Sequence, residues 1–411
     1  MKALVLAGGF PQISLINSLK RRGITALLAD YYPEPAAKKY ADAFFQVSTL
    51  DVNAIRELVK REHADFIITV CTDQALLTMA QVSEESGLPC YLDYSTALRV
   101  TNKQHMKKVF AEHGIHTAEF AITESPSDIR MNFPLVVKPV DCNSSKGVVK
   151  VSSTRELDEA FTAAKKLSRT GSVIVERYLE GIEVSVDAWV EDGKAKILCM
   201  SRNDKIPGTF VIFRGLYPCI EALKVKRKIQ DTVQKIADAF GLKNCPMIIQ
   251  LITDGEDVHV LEFSARTGGG TKHIMIEHVT GLDVIDMTVE LALGNLPEVH
   301  AVLMADMYLA DEFIYCTQGV YDHPDGFDAL KNRGILEDYY MFKWKGAEFD
   351  GGVHNSGDRI AGFTITDETL EGLRKKHDEV VQNVHVISRD GRDIMRHDLF
   401  TAIHSSKGEN S

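Results

Sequence analysis

Three short apolar runs in the first hundred of 411 residues restrict the fold more than any other feature of the chain. They are "KALVLAGG" (2–9), "ITALLAD" (24–30) and "DFIITVCTD" (65–73), each ending in glycine or aspartate. The stretches between them have helical spacing: "SLINSLKRRG" stops at Gly23, and 51–63 is a charged amphipathic pattern. Antiparallel neighbours need only a short turn, whereas parallel neighbours need a crossover of about a dozen residues or more, which this spacing supplies. Continuously apolar strands are buried on both faces, so residues 1–97 are expected to form an N-terminal doubly wound parallel-sheet domain of the α/β class. Gly8, Gly9, Asp30 and Asp73 fall at strand ends and would line the carboxyl edge, where such sheets bind ligands.

After Asn102 the pattern becomes α+β. "FPLVVKPVDCNSSKGVVKV" (133–151) reads as strand, polar loop and strand, and leads into the helix "STRELDEAFTAAKKL". Two hairpins follow, one turning at Asp192-Gly193 and the other near Asp254-Gly255, with a helix over 222–242 between them. From about residue 301 the chain returns to hairpin and helix, a small C-terminal α+β segment over 301–411.

The balance of 58 acidic against 47 basic residues, net −11, argues against nucleic acid or an anionic membrane as the main partner. Seven cysteines, odd in number and without a CxxC pair, indicate a reducing compartment and buried thiols. No run reaches the roughly 18 apolar residues of a membrane helix. The first residues read as a strand rather than a leader. A cytoplasmic protein acting on small molecules is expected.

Several polar residues interrupt this apolar framework. Lys138 stands inside "PLVVKPV" and would be costly to bury without an anion; pointing outward from an edge strand is the equal alternative. The loop "DCNSSKG" offers Ser144, Ser145, Lys146 and Gly147, small or cationic groups suited to a phosphate, although it lacks the GxxxxGK[ST] spacing and also reads as a plain hairpin turn. Glu176 and Glu183 bracket a glycine turn with Leu179, an extended crossing that could meet an adenine and its ribose; two solvated strand-end acids are the bland alternative. Gln250 and Glu262 lie almost opposite each other across the second hairpin, and Ser264 shares their face by the period of two. Such an oxygen cluster suits Mg²⁺, or simply a Gln–Glu hydrogen bond. Arg266 then offers a fork for an anion, and Gly268, Gly269 and Gly270 let backbone approach a ligand. Lys205, with Arg214 and Tyr217 in "DKIPGTFVIFRGLYPCI", could reach a substrate pocket, while His273 is more a packed side chain than a base.

These elements, in this order and over nearly the whole chain, resemble the ATP-grasp superfamily. Within it they are most similar to the carboxylate–amine ligases related to carbamoyl-phosphate synthase large-subunit domains, bacterial amino-acid ligases and purine-synthesis ligases. The resemblance implies an ATP-grasp core of two α+β lobes over 98–300, with 117–177 as a mobile lid, and a C-terminal segment that completes the substrate side. "TNKQHMKKVFAEHGIHTAEF" would supply Lys103 and "FPLVVKPVDCNSSKGV" would supply Lys138 as the two phosphate lysines, with 144–147 as the phosphate loop. "VERYLEGIEVSVD" would place Glu176 and Leu179 at the adenine and Glu183 at the ribose. "QLITDGEDVHVLEFSARTGGG" would hold Mg²⁺, with Mn²⁺ as a substitute, on Gln250, Glu262 and Ser264, and would place Arg266 and the glycines on the substrate. Serine stands at 264 where the family usually writes asparagine, and Gln250 replaces a more frequent acid.

The implied activity is ATP-dependent phosphorylation of a carboxylate to an acyl phosphate, followed by amide formation with an amine. Lys138 and Arg266 would be catalytic, and a homodimer is compatible with the family. The rival readings are a bicarbonate- or formate-using synthetase and a non-catalytic nucleotide-binding protein.

Overall fold

The computed structural model describes residues 1–142, 145–299 and 304–404. The expected N-terminal sheet is present and parallel. It is made of β1 (Lys2–Leu6), β2 (Thr25–Asp30), β3 (Ala43–Gln46) and β4 (Phe66–Ile68), in the order β3-β2-β1-β4. Successive side chains of β1 go to opposite faces. Ala3 and Val5 pack on Leu15, Ile16 and Leu19 of α1 (Pro11–Arg21), whereas Leu4 and Leu6 pack on Ile55, Leu58 and Val59 of α2 (Val52–Glu62). Helices on both faces make the sheet doubly wound. Strand β3 was not anticipated; its side chains are only half-buried at the sheet edge, so its apolar signal is short.

Helices α3 (Asp73–Ser86), α4 (Tyr94–Thr101) and α5 (Lys103–Glu112) lead to a lobe of four antiparallel strands. These are β5 (Phe120–Thr123), β6 (Leu135–Pro139), β7 (Val149–Val151) and β8 (Val173–Arg177), ordered β5-β8-β6-β7 and covered by α6 (Thr154–Leu167). Leu135, Val137, Val173 and Val175 face α6 against Leu157 and Phe161. By alternation, Lys138 and Glu176 share the opposite face, and that decides where their charges go.

The largest element is an eight-stranded antiparallel sheet. In chain order it includes β9 (Ile182–Glu191), β10 (Lys194–Lys205) and β11 (Ile212–Tyr217); α7 (Ile220–Lys224) and α8 (Lys226–Phe240) precede β12 (Cys245–Thr253) and β13 (Val258–Ser264). Helices α9 (Lys272–Thr280) and α10 (Val284–Ala292) come next, then β14 (Tyr308–Ile314), β15 (Gly319–Asp325), α11 (Phe327–Asn332), β16 (Asp338–Met341), β17 (Glu348–Phe349), β18 (Ala361–Asp367), α12 (Leu370–Asn383) and β19 (His385–Ser388). The sheet order is β13-β12-β9-β10-β11-β14-β18-β16, with β17-β15-β19 as a small satellite sheet. The residues after 304 therefore continue the same sheet, because β14 pairs with β11 in the register Arg214↔Glu312.

Helix α10 packs Ile285, Val289 and Ala292 against the N-terminal sheet, and Arg22 bonds Glu290 at 2.6 Å and Asp286 Oδ2 at 2.7 Å, tying the first domain to the large sheet. Among the described residues no helix is long and apolar enough to cross a membrane.

Phe240 of α8 meets Phe263 of β13 edge-on, ring centroids 4.5 Å apart, directly behind Glu262. Phe240→Ala is expected to cost about 3–5 kcal/mol of stability, the usual penalty for emptying a buried aromatic site. A lowered midpoint of urea unfolding would register it.

Candidate active site

The inward face of the four-stranded lobe carries a cluster of buried charge. Lys138 Nζ lies 2.5 Å from Glu176 Oε2, and Lys107 Nζ of α5 lies 2.7 Å from Oε1 of the same carboxylate. All three are buried. Lys107 also donates to Thr117 Oγ1 at 2.5 Å, and Thr117 donates in turn to the Val260 carbonyl at 2.7 Å, joining the lobe to β13. Burial by itself would raise the Glu176 pKa, but the two ammonium groups outweigh it and hold the carboxyl well below its ordinary range. For Lys107 desolvation wins and the pKa falls, whereas for Lys138 the carboxylates outweigh desolvation and raise it. The Glu176 side chain is thus committed to two lysines, and any contact with a purine at this hinge falls to backbone. Leu179 lies half-buried between β8 and β9.

Across the cleft, Gln250 and Glu262 are direct partners in the β12–β13 register, and Ser264 follows on the same strand opposite Ile248. Lys103 Nζ stands 3.3 Å from Glu262 Oε2 and donates to the Cys142 carbonyl at 2.8 Å. Lys103 is the chief reason the Glu262 carboxyl sits below its usual range. Gln250 Nε2 donates to Glu183 Oε1 at 3.1 Å, so its amide oxygen remains for a cation. Ser264 Oγ is buried without a hydrogen-bond partner. A carboxylate, an amide oxygen and an orphaned hydroxyl on one hairpin fit a hard divalent ion such as Mg²⁺.

Glu183 also accepts from Asn203 Nδ2 at 3.0 Å and pairs with Lys205 Nζ at 2.5 Å. Lys205, expected among substrate contacts, is held instead by the carboxylate expected at the ribose.

Beyond the hairpin, Arg266 gives its fork to Asp73 of α3 in two bonds of 2.7 Å, and Nη1 donates to the Thr267 carbonyl at 2.9 Å. The expectation left this fork free for an anion; two of its N–H groups go to Asp73 instead. The glycine run is fixed from beneath. Gly268 N donates to Asp187 Oδ1 at 3.1 Å, and a Cβ at 268 would lie 2.7 Å from that oxygen. Gly270 has φ +68°, and a Cβ there would lie 2.9 Å from Phe313 Cζ. Burial pushes Asp187 up to about 6, and its Oδ2 has no partner.

Lys272 and Arg359 line the same cleft and escaped the sequence reading. Arg359 lies over the Phe313 ring at 3.6 Å and donates to Tyr315 Oη at 3.1 Å and to the Ile212 carbonyl at 2.9 Å. A lone Arg in "GDRIAGF" carries no signal of its own. Only the β11–β14–β18 pairing brings it to the glycines.

The cleft measures about 570 Å³ and is bordered by the N-terminal domain, the 145–146 loop, the β12–β13 hairpin, the glycine run and Arg359. Ser145 has φ +61° and donates to the Phe210 carbonyl at 2.9 Å, while Lys146 is exposed at the rim. Gly147 has φ +72° and turns the loop back toward β7. Ser144 lies outside the described residues. His273 is buried against Phe10, bonds Ser14 Oγ at 3.1 Å and is lowered to about 4 by burial, in keeping with a packed side chain.

Residues 131–274 match the family described as ATP-grasp domain. More particularly, a formate-dependent phosphoribosylglycinamide formyltransferase from Parabacteroides distasonis is 25% identical over 274 residues, covering 64% of this chain and 69% of its own. The L-amino acid ligase of Bacillus licheniformis superposes with a TM-score of 0.80 at 20% identity, over 94% of this chain and 98% of its own. The biotin carboxylase domain of Hydrogenobacter thermophilus 2-oxoglutarate carboxylase, solved with MgADP and bicarbonate, reaches 0.78 at 16% identity, over 97% and 92%. At these identities the structural likeness is one of fold.

Glu176→Ala leaves two buried ammonium groups without their counter-ion and is expected to cost about 3–5 kcal/mol. Because the folded carboxyl is depressed, its contribution is complete above the ordinary glutamate value of 4.5 and fades as pH falls below it. Unfolding midpoints measured from pH 6 downward should therefore drop less steeply in the variant than in the wild type.

Proposed function

We propose that this protein uses Mg·ATP to phosphorylate a small carboxylic acid and then couples the acyl phosphate to an amine, releasing ADP and phosphate. The observation that carries this reading is the hairpin face of Gln250, Glu262 and orphaned Ser264, set beside Lys103 in the same cleft as Arg266 and the glycine run. In the first step a carboxylate oxygen attacks the γ-phosphorus and ADP leaves; in the second the amine nitrogen attacks the acyl carbon and phosphate leaves. Lys103, Lys138 and Lys146 of this chain neutralise phosphate charge, and Ser145 and Gly147 lend the loop small groups beside it. Leu179 packs at the adenine and Glu183 accepts ribose hydroxyls. Gln250, Glu262 and Ser264 hold Mg²⁺ (or Mn²⁺), which supplies positive charge against the phosphate oxygens.

Arg266 and the Gly268–Gly270 backbone receive the reacting acid, with Asp73 fixing the orientation of the guanidinium. Lys205 acts through Glu183. Acyl phosphates hydrolyse readily, so water has to be kept out, and residues 117–177 serve as the lid over the 98–300 core, with 301–411 closing the substrate side. Partners are small molecules, and a homodimer is compatible with the fold.

A second reading, in which bicarbonate or formate is the acid, is favoured by the formate-dependent relative and by the bicarbonate in the Hydrogenobacter structure.

ADP release measured across amino acids, bicarbonate and formate, each with an amine panel, separates the two. Lys138→Ala and Glu262→Ala are each expected to abolish acid-dependent ADP release, and near-wild-type turnover in either would overturn that residue's role. Arg266→Lys loses the fork while keeping the charge, and kcat should fall about 10²- to 10³-fold with ATP affinity retained, as for removal of one oxyanion donor.

A further inference from the structure

A second cation site, unrelated to phosphate chemistry, is built into the end of the chain. Asp393 Oδ2 accepts from His385 Nδ1 at 2.8 Å and from His397 Nε2 at 2.7 Å, and the three ligand atoms lie within 4.8 Å of one another. The other oxygen, Oδ1, is fixed by the backbone N–H groups of Val386 at 3.2 Å and Met395 at 3.0 Å, so the carboxylate cannot turn away. The neighbouring cations are committed elsewhere: Arg392 pairs with Asp390 at 2.8 Å and Arg396 with Asp398 at 2.6 Å. Among the described residues Asp393 thus has two imidazoles and no lysine or arginine as ionic partners.

We propose that His385, Asp393 and His397 bind a divalent transition ion of the zinc kind, with solvent completing its coordination. Two imidazole nitrogens and one carboxylate suit such an ion and not Mg²⁺, which takes oxygen ligands. Metal–ligand bonds of about 2.0–2.1 Å in a tetrahedron set ligand atoms roughly 3.3 Å apart, so each nitrogen would draw back from Oδ2 by about half an ångström as the two imidazoles settle around the ion. All three side chains are about one-third exposed, so an ion can enter from solvent.

The site joins three pieces of backbone: strand β19, the turn through 389–393 and the turn that starts the final tail. That tail gives its carbonyls to the sheet and to α12. Arg214 Nη2, fully buried and paired with Glu312, donates to Thr401 O at 2.6 Å, and Arg374 Nε donates to Ile403 O at 2.7 Å. A bound ion would fasten the tail where it caps Arg214, two residues along β11 from the Ile212 carbonyl that anchors Arg359 in the cleft.

The test uses the full, untagged chain after dialysis against a chelator. Co²⁺ titration followed by visible absorption should give one ion per chain, with ligand-field bands of nitrogen and oxygen donors, displaced by Zn²⁺. Zn²⁺ should also raise the thermal midpoint. His385→Gln and His397→Gln should each lose both effects while binding Mg·ATP as the wild type does. Asp393→Asn, which keeps the side-chain volume and the acceptor for the Val386 and Met395 amides, should weaken uptake without unfolding the tail. No saturable Co²⁺ uptake, a sulfur-to-cobalt charge-transfer band, or unchanged uptake in either histidine variant would overturn the site.

Discussion

Five cations in and around the cleft each have a carboxylate of this chain within ion-pairing distance, and that pairing is what allows so much charge to be buried. Lys107 and Lys138 share Glu176, Lys103 stands by Glu262, Lys205 holds Glu183, and Arg266 is forked to Asp73. Taking a lone ammonium or guanidinium out of water costs several kcal/mol, more than the local packing could return. The pairing also sets the chemistry available. On the proposed reading a triphosphate would compete for the same cations, and Glu262 released from Lys103 would become a metal ligand without any change in the fold. Glu176 differs, because it lies between two lysines and keeps one whichever way the other turns.

Much of this was legible in the chain itself where the signal is local. The period of two in "MIIQLIT" and "VHVLEFS", with a turn near Asp254-Gly255, puts Gln250 opposite Glu262, and the structure has that pair in register. The parallel N-terminal sheet follows equally from strand and crossover lengths. Interactions that depend on distant pairing were not legible. Asp73 is 193 residues from Arg266. Lys107 is one of several lysines in a charged helix, and nothing local says that it points at Glu176. The sequence places Lys205, with Arg214 and Tyr217, within reach of a substrate pocket; its partner Glu183 lies on an adjacent strand whose register spacing alone does not supply. The continuity of the sheet past residue 304 rests on β11 pairing with β14, across an interval of nearly a hundred residues.

The glycine run depends on rigid support. Asp187 accepts from Gly268 N, Lys272 reaches Ser201, and Asp311 accepts from Thr271 at 2.9 Å and from Thr364 at 2.5 Å. Burial pushes both aspartates up to about 6, against the opposing pull of Lys272 and the local donors. Glycines usually make backbone loose. Here the run is pinned at Gly268 by a carboxylate and at Gly270 by Phe313 and Arg359, so its lack of side chains serves close approach rather than mobility.

That support has a consequence for how the N-terminal domain takes part. Asp73 opens α3 at the carboxyl edge of the parallel sheet, and its two bonds to Arg266 are the point where that domain reaches the glycine-run end of the cleft. Arg22 with Asp286 and Glu290 fixes the same domain to α10 at a second point. With two attachments on different helices the domain cannot rotate without breaking one of them. The four-stranded lobe has no comparable bracing at its loop, where Ser145 to the Phe210 carbonyl and Lys103 to the Cys142 carbonyl are single hydrogen bonds of about 1 kcal/mol each. On the proposed reading the loop would therefore open more cheaply than the domain could turn, while Lys107 with Glu176 and Thr117 with the Val260 carbonyl keep the rest of the lobe attached to α5 and β13.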